Sequence, residues 1–239
     1  MSDKEIKGKV HSIQSLAASD GPGVRFAIFL QGCNLRCGCC HNPDTWNISG
    51  GTEYTPKEIV EMAKRYREYF GSDGGVTISG GEPLLQPEFV REVFTLCHEA
   101  GINTCLDTSG SLFGESIKAA LAVADRVLLD IKYTENGLYE EHVGCDLEKP
   151  LRFLDYLNQQ NIPVTVRQVI IPTLNNNDEN ILKLKAICDA HPCVDKIELL
   201  PFRKMCKVKY DDLGIHFAHG HLPEPDPKEV DRFREMLKK

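Results

Sequence analysis

Six short apolar runs, most of them followed by a segment with helical spacing, alternate along the chain and restrict it to folds built on a parallel sheet. The expected strands are 25–31 (RFAIFLQ), 75–79 (GVTIS), 103–108, 126–132 (RVLLDIK), 164–171 (VTVRQVII) and 196–202 (KIELLPF). Their nearly unbroken apolar character suits parallel strands covered on both faces. The expected helices are 55–70, 87–100, 115–124, 148–160, 178–190 and 227–238. Thr55 precedes Pro56 and stands three residues before Glu58, the spacing of a capping box. Gly101 stops the second helix, and Asn177 caps the fifth. Crossovers of this kind are right-handed. An open doubly wound sheet and a curved partial barrel both satisfy the pattern, and six units fall short of the eight of a closed barrel.

At 239 residues the chain fits a single α/β domain. We expect one domain over 1–239, with its core at about 10–203, an irregular flap over 204–226 and a closing helix over 227–239. A net charge of -7 argues against a protein that binds nucleic acid or an acidic membrane through general basicity. The first nine residues are polar, and no run is long enough to span a bilayer, so a cytoplasmic location is expected. Ten cysteines there do not form a disulfide framework; clustered ones signal metal or redox chemistry.

Polar residues gather after the strands. Ser79-Gly80-Gly81-Glu82 follows the second, Asp107 and Thr108 end the third, Asp130 to Lys132 end the fourth, Arg167 lies in the fifth, and 201–203 end the sixth. Parallel α/β folds bind ligands at the carboxyl ends of their strands.

The densest signal is Cys33-Asn34-Leu35-Arg36-Cys37-Gly38-Cys39-Cys40-His41, directly after the first expected strand. Cys33, Cys37 and Cys40 have the spacing C-x3-C-x2-C. Iron–sulfur clusters usually take four thiolates, so three on one loop leave an iron open to another ligand. A zinc site completed by Cys39 or His41 is the alternative, since soft thiolates suit zinc too. Structural zinc normally draws ligand pairs from two segments, and no second pair is visible. Cys97, Cys105, Cys145, Cys188, Cys193 and Cys206 have no metal spacing and read as core. His216, His219 and His221 lie in the aperiodic stretch, which reads as a mobile flap that meets a partner protein.

The cysteine loop, followed after the next strand by Gly80-Gly81-Glu82-Pro83, resembles the radical S-adenosylmethionine (SAM) superfamily. A closer resemblance is to the activating enzymes of glycyl radical enzymes, in particular those acting on pyruvate formate-lyase. It rests on Asp20-Gly21-Pro22-Gly23-Val24-Arg25-Phe26, on the loop from Gly32 through Cys40-His41-Asn42-Pro43-Asp44-Thr45-Trp46, on Cys105 to Thr108, on Leu128 to Lys132 and on Glu198 to Pro201. It covers most of 10–203, and no ferredoxin-like cysteine insertion separates Trp46 from Thr55.

That resemblance implies a partial (β/α)6 TIM-like barrel. It implies a radical SAM oxidoreductase carrying one [4Fe–4S] cluster on Cys33, Cys37 and Cys40, with SAM on the open iron. Reductive cleavage of SAM would yield methionine and a 5′-deoxyadenosyl radical, which takes a hydrogen from a glycine of pyruvate formate-lyase or another glycyl radical enzyme. The implied electron donor is reduced flavodoxin or ferredoxin, and the enzyme is expected to be a monomer. SAM contacts are implied for Cys39, Cys40, His41, Asn42, Gly80, Gly81, Glu82, Asp130, Ile131, Lys132, Arg167 and Arg203. Asp107, Thr108, Asp130 and the backbone of Leu128 would hold a monovalent cation, and Asp20 and Arg25 would face the incoming glycine loop. The bland alternatives are that the acids pair with Lys132 or Arg167 and that Asp20 to Arg25 form only a turn entering a strand. Two positions depart from the family pattern: Cys39 replaces an aromatic, and Arg203 stands where relatives often have histidine. A radical SAM enzyme acting on a small molecule and a zinc-stabilised binding module are the competing functions.

Overall fold

A computed structural model describes residues 5–238; positions 1–4 and 239, the ends of the expected domain, lie outside the described residues. The chain divides into two compact units. The first holds the described residues up to Asn34, with Thr45–Thr108 and Leu112–Leu128; the second holds Leu35–Asp44, Ser109–Ser111 and the chain from Leu129.

In the first unit, β2 (Arg25–Leu30), β4 (Gly75–Gly80) and β5 (Asn103–Thr108) pair in parallel, with Ile28 opposite Ile78 and Ile78 opposite Leu106. These three side chains are fully buried, as are Ile59, Val93 and Phe94 on α1 (Pro56–Lys64) and α2 (Pro87–Glu99). Each such burial contributes ~1.5–3 kcal/mol against exposure. The unit also contains α3 (Glu115–Leu121). Thr55 and Glu58 close the capping box reciprocally. The first helix was expected to reach residue 70, but it ends at Lys64 and the chain tightens into a 3-10 turn over Arg67–Tyr69. Two strands were not expected: β1 (Gly8–Ala17), antiparallel to β2, and β3 (Thr52–Tyr54), antiparallel to β1. Along β1 inward and outward residues alternate, so it lacks the continuous apolar run of a strand buried on both faces.

Arg25 corrects an expectation. It opens β2 opposite Gly75 at the amino end of the sheet and is wholly buried. Its guanidinium donates to Thr77 Oγ1 (2.9 Å), Asn103 Oδ1 (2.9 Å) and the carbonyls of Asp73 (3.1 Å) and Val76 (2.6 Å). A buried guanidinium needs such acceptors, and these contacts make Arg25 a structural clamp rather than a residue facing a partner. Asp20 is half-buried, and its carbonyl accepts from Thr77 Oγ1 at 2.7 Å.

β6 (Arg126–Asp130) runs across the division between the units. In the second unit, β7 (Val164–Ile170) and β8 (Val194–Pro201) pair in parallel, accompanied by α4 (Asn136–Val143), α5 (Glu148–Gln159), α6 (Asp178–Asp189), α7 (Lys207–Leu213) and α8 (Pro227–Leu237). Helix α7 lies inside the stretch expected to be irregular. It is short, is ended by Gly214 at φ +64, and buries Tyr210, which stacks on Phe217 with ring centroids 4.4 Å apart. The strand order is β3-β1-β2-β4-β5-β6-β7-β8, an open, mostly parallel sheet of the kind a partial (β/α)6 barrel uses. Among the described residues no helix is long and apolar enough to cross a membrane.

Candidate active site

In the first unit the chain leaves β2 through Gly32, at φ +100, into Cys33. The turn after β4 lies directly against this exit: Gly81 N–H donates to Leu30 O (3.0 Å) and Glu82 N–H to Gly32 O (2.8 Å). A Cβ on Gly80, which has φ +129, would collide with the Leu30 backbone, and one on Gly81 with the Gly32 carbonyl. Both glycines are therefore required by the close approach of the two chain segments, before any ligand is considered. Glu82 is buried and accepts from Leu84 N–H (3.1 Å) and Thr108 Oγ1 (2.7 Å), so its carboxylate fixes the turn. Asp107 accepts from Ser79 Oγ at 2.7 Å. Leu128 is buried within β6.

The second unit carries Cys37, Cys39, Cys40, His41 and Asn42 on one loop. Cys37 O accepts from Cys40 N–H at 3.1 Å, which turns the loop on itself. The segment from Arg203 to His219 grips this loop at four points. Arg203 O lies 3.0 Å from His41 Nε2, and Tyr210 OH donates to Cys40 O (2.9 Å). Lys209 Nζ reaches Asn42 Oδ1 (2.9 Å) and Asp44 Oδ2 (3.0 Å), and His219 N–H donates to Gly38 O (3.2 Å). Sequence reasoning missed this clasp and treated the stretch as a mobile flap. Its anchors, Lys209, Tyr210 and His219, have no motif spacing, and only the fold brings them to the cysteine loop.

The thiols differ by position. Cys37 and Cys40 are half-exposed, as is Cys33 in the first unit, whereas Cys39 is 8% exposed. Burial pushes the Cys39 thiol up to about 11, and the Cys97 and Cys188 thiols up to about 12. Burial therefore disfavours the thiolate, which is the ligating form, at these three positions. Among the described residues no three His, Cys, Asp or Glu side chains gather about one point as a single metal ion requires. Three thiolates that each bind a different iron of a cluster do not need to converge in that way.

At the end of β6, Asp130 accepts from Lys132 Nζ (2.5 Å) and from Arg167 Nε (3.1 Å). Burial alone would raise the Asp130 pKa, but Lys132 and then Arg167 outweigh it and bring it down to about 2. Burial would likewise lower the Lys132 pKa, but Asp130 and the Cys37 and Cys39 sulfurs hold it well above its ordinary value. Lys132 is therefore a permanent cation. Ile131 N–H donates to Arg167 O at 2.9 Å, tying β6 to β7. The Arg203 side chain is engaged by Glu224 at 2.7 Å.

These residues fit an iron–sulfur group on chemical grounds: three accessible thiols on a C-x3-C-x2-C loop, a fourth thiol between them withdrawn by burial, and a fixed positive charge on Lys132.

Comparison with known proteins gives the family. Residues 27–184 match the radical SAM superfamily. The chain is 41% identical over 234 residues to the pyruvate formate-lyase-activating enzyme of Clostridium pasteurianum, covering 98% of each chain. It is 37% identical over 235 residues to the pyruvate formate-lyase 1-activating enzyme of Escherichia coli (strain K12), covering 97% of this chain and 96% of that one. Among solved structures it is similar in fold to Streptococcus suis SuiB bound to precursor peptide SuiA, with a TM-score of 0.71 and 18% identity, over 94% of this chain and 46% of that one.

Proposed function

The chain belongs to the radical SAM superfamily and, within it, to the family of pyruvate formate-lyase-activating enzymes, and from that premise we propose that it installs a glycyl radical on pyruvate formate-lyase in the absence of oxygen. When bound, a [4Fe–4S] cluster and SAM supply the reductive cleavage that gives methionine and the 5′-deoxyadenosyl radical, which takes a hydrogen from a glycine α-carbon. The cofactors carry that chemistry, and the protein supplies binding, orientation and polarity.

Cys33, Cys37 and Cys40 are the thiolates that hold the cluster, and Cys39 contributes backbone only. Lys132 and Arg167 supply the positive charge for the SAM carboxylate. Both are already held by Asp130, which restricts their rotamers before the ligand arrives. Gly80 and Gly81 offer backbone without side chain, and Glu82 holds their turn. His41, Asn42, Ile131 and Arg203 complete the proposed SAM contacts. The proposal includes a monovalent cation held by Asp107, Thr108, Asp130 and the Leu128 carbonyl, and retains Asp20 as a contact for the substrate peptide. It also takes reduced flavodoxin or ferredoxin as electron donor, a monomeric enzyme acting as one domain, and a cytoplasmic location where thiols stay reduced.

The observation that carries the reading is the contrast between three accessible thiols at cluster spacing and the buried Cys39 among them. The test mixes the reconstituted enzyme, SAM, a strong reductant and pyruvate formate-lyase without oxygen. An electron paramagnetic resonance signal from a glycyl radical on the lyase is expected. SAM cleavage without that signal would refute the choice of partner.

A further inference from the structure

We infer that Asn175 is a positioning residue, which sets where the Lys132 ammonium stands by holding the Lys132 peptide in place. The inference rests on the reading of Lys132 as a SAM contact given under Proposed function. Lys132 follows the end of β6 and belongs to no strand. Its peptide groups therefore need partners from outside the sheet ladder.

Asn175 supplies one of them from the loop between β7 and α6, where it is 1% exposed. Each polar atom of its amide is bonded to main chain. Oδ1 accepts from Ile171 N–H (2.7 Å), and Nδ2 donates to Val169 O (2.8 Å) and Lys132 O (3.2 Å). The first two bonds fix the side chain on the end of β7. The third reaches from there to the chain leaving β6, 43 positions away, which closing a turn does not require. On the other side, Lys132 N–H donates to the Tyr139 hydroxyl (3.4 Å), which donates to Asp130 O (3.4 Å). The base of Lys132 is thus tied to β7, the strand that carries Arg167, while its head lies on the Asp130 carboxylate that also holds Arg167. A lysine has a flexible four-carbon stem, so an anchored head alone would leave the loop beneath it free to shift. A binding group is only as precisely placed as the hydrogen bonds that support it.

The test is a double-mutant cycle on SAM binding. Wild type, Asn175→Ala, Asn175→Asp, Asn176→Ala, Lys132→Met and the Asn175→Ala/Lys132→Met double variant are each reconstituted anaerobically with iron and sulfide. Iron and sulfide per chain are measured first, and the Kd for SAM is then obtained by calorimetry without reductant. Asn175→Asp keeps the acceptor for Ile171 N–H and loses both donors. Asn176 is the control because it braces the same loop, through Thr173 N–H (2.8 Å) and Glu229 (3.1 Å). Lys132→Met should weaken SAM binding about ten-fold or more, and both Asn175 variants about five-fold, with their iron retained. In the Lys132→Met background Asn175→Ala should add nothing, and Asn176→Ala should bind SAM as wild type does. Unchanged affinity in both Asn175 variants, an equal loss with or without Lys132, an equal loss in Asn176→Ala, or failure of both Asn175 variants to fold would make Asn175 structural support alone. Each of these would overturn the inference and leave the reading of Lys132 intact. Wild-type affinity in Lys132→Met would overturn both.

Discussion

Asp130 holds two cations at once, and that is a stability statement as well as a site geometry. Its pKa is depressed from an ordinary 3.8 to about 2 in the folded chain. A depressed carboxylate contributes stability that is present above its unfolded pKa and is lost as the pH falls through the folded one. Replacing it with Asn leaves Lys132 and Arg167 without their anion, a loss of ~3–5 kcal/mol for a broken buried pair. In urea unfolding, Asp130→Asn should therefore be less stable than wild type at pH 7, and the gap should narrow between about pH 4 and pH 2. A gap that stays constant over that range would mean the carboxylate's charge does not matter. At this scale the sequence revealed what is local. The C-x3-C-x2-C spacing and the glycine pair are contiguous and readable. The assignment of Arg25 to the substrate side failed because burial is a property of the fold: its guanidinium finds acceptors on residues 48 to 78 positions away. His219 was placed in a mobile flap rather than against the cysteine loop for the same reason.

At the level of elements, the parallel strands were legible within a residue or two, and β5 matched over its full length of Asn103–Thr108. Short, largely apolar runs between helical segments leave little choice of conformation. β1 and β3 were missed because each has a polar, exposed side, and α4 because its apolar periodicity is weak. Helix α7 was missed for being short, yet it supplies Lys209 and Tyr210 to the clasp. If α7 secures the cysteine loop, Tyr210→Phe removes the bond to Cys40 O and costs about 1 kcal/mol in that contact. Combined with Lys209→Ala, it should speed iron release to a chelator about five-fold or more, with far-ultraviolet circular dichroism unchanged. An unchanged release rate would mean that the loop holds its shape without the clasp.

For the molecule as a whole, the residue set of the proposed reaction is distributed over both compact units, and the relatives align along nearly the full chain. The fold class followed from β/α alternation, but the chemistry rests on three sulfurs, with cation, acid and glycine residues of each unit arranged around their own part of the set. That places the decisive test on the thiols. The measurement is 5′-deoxyadenosine formed from SAM under a strong reductant without oxygen, by wild type, Cys37→Ala and Cys39→Ala. Wild type and Cys39→Ala should each release 5′-deoxyadenosine and methionine in equal amounts, and Cys37→Ala should release none. Product from Cys37→Ala, or its absence from wild type fully loaded with iron and sulfide, would contradict the account.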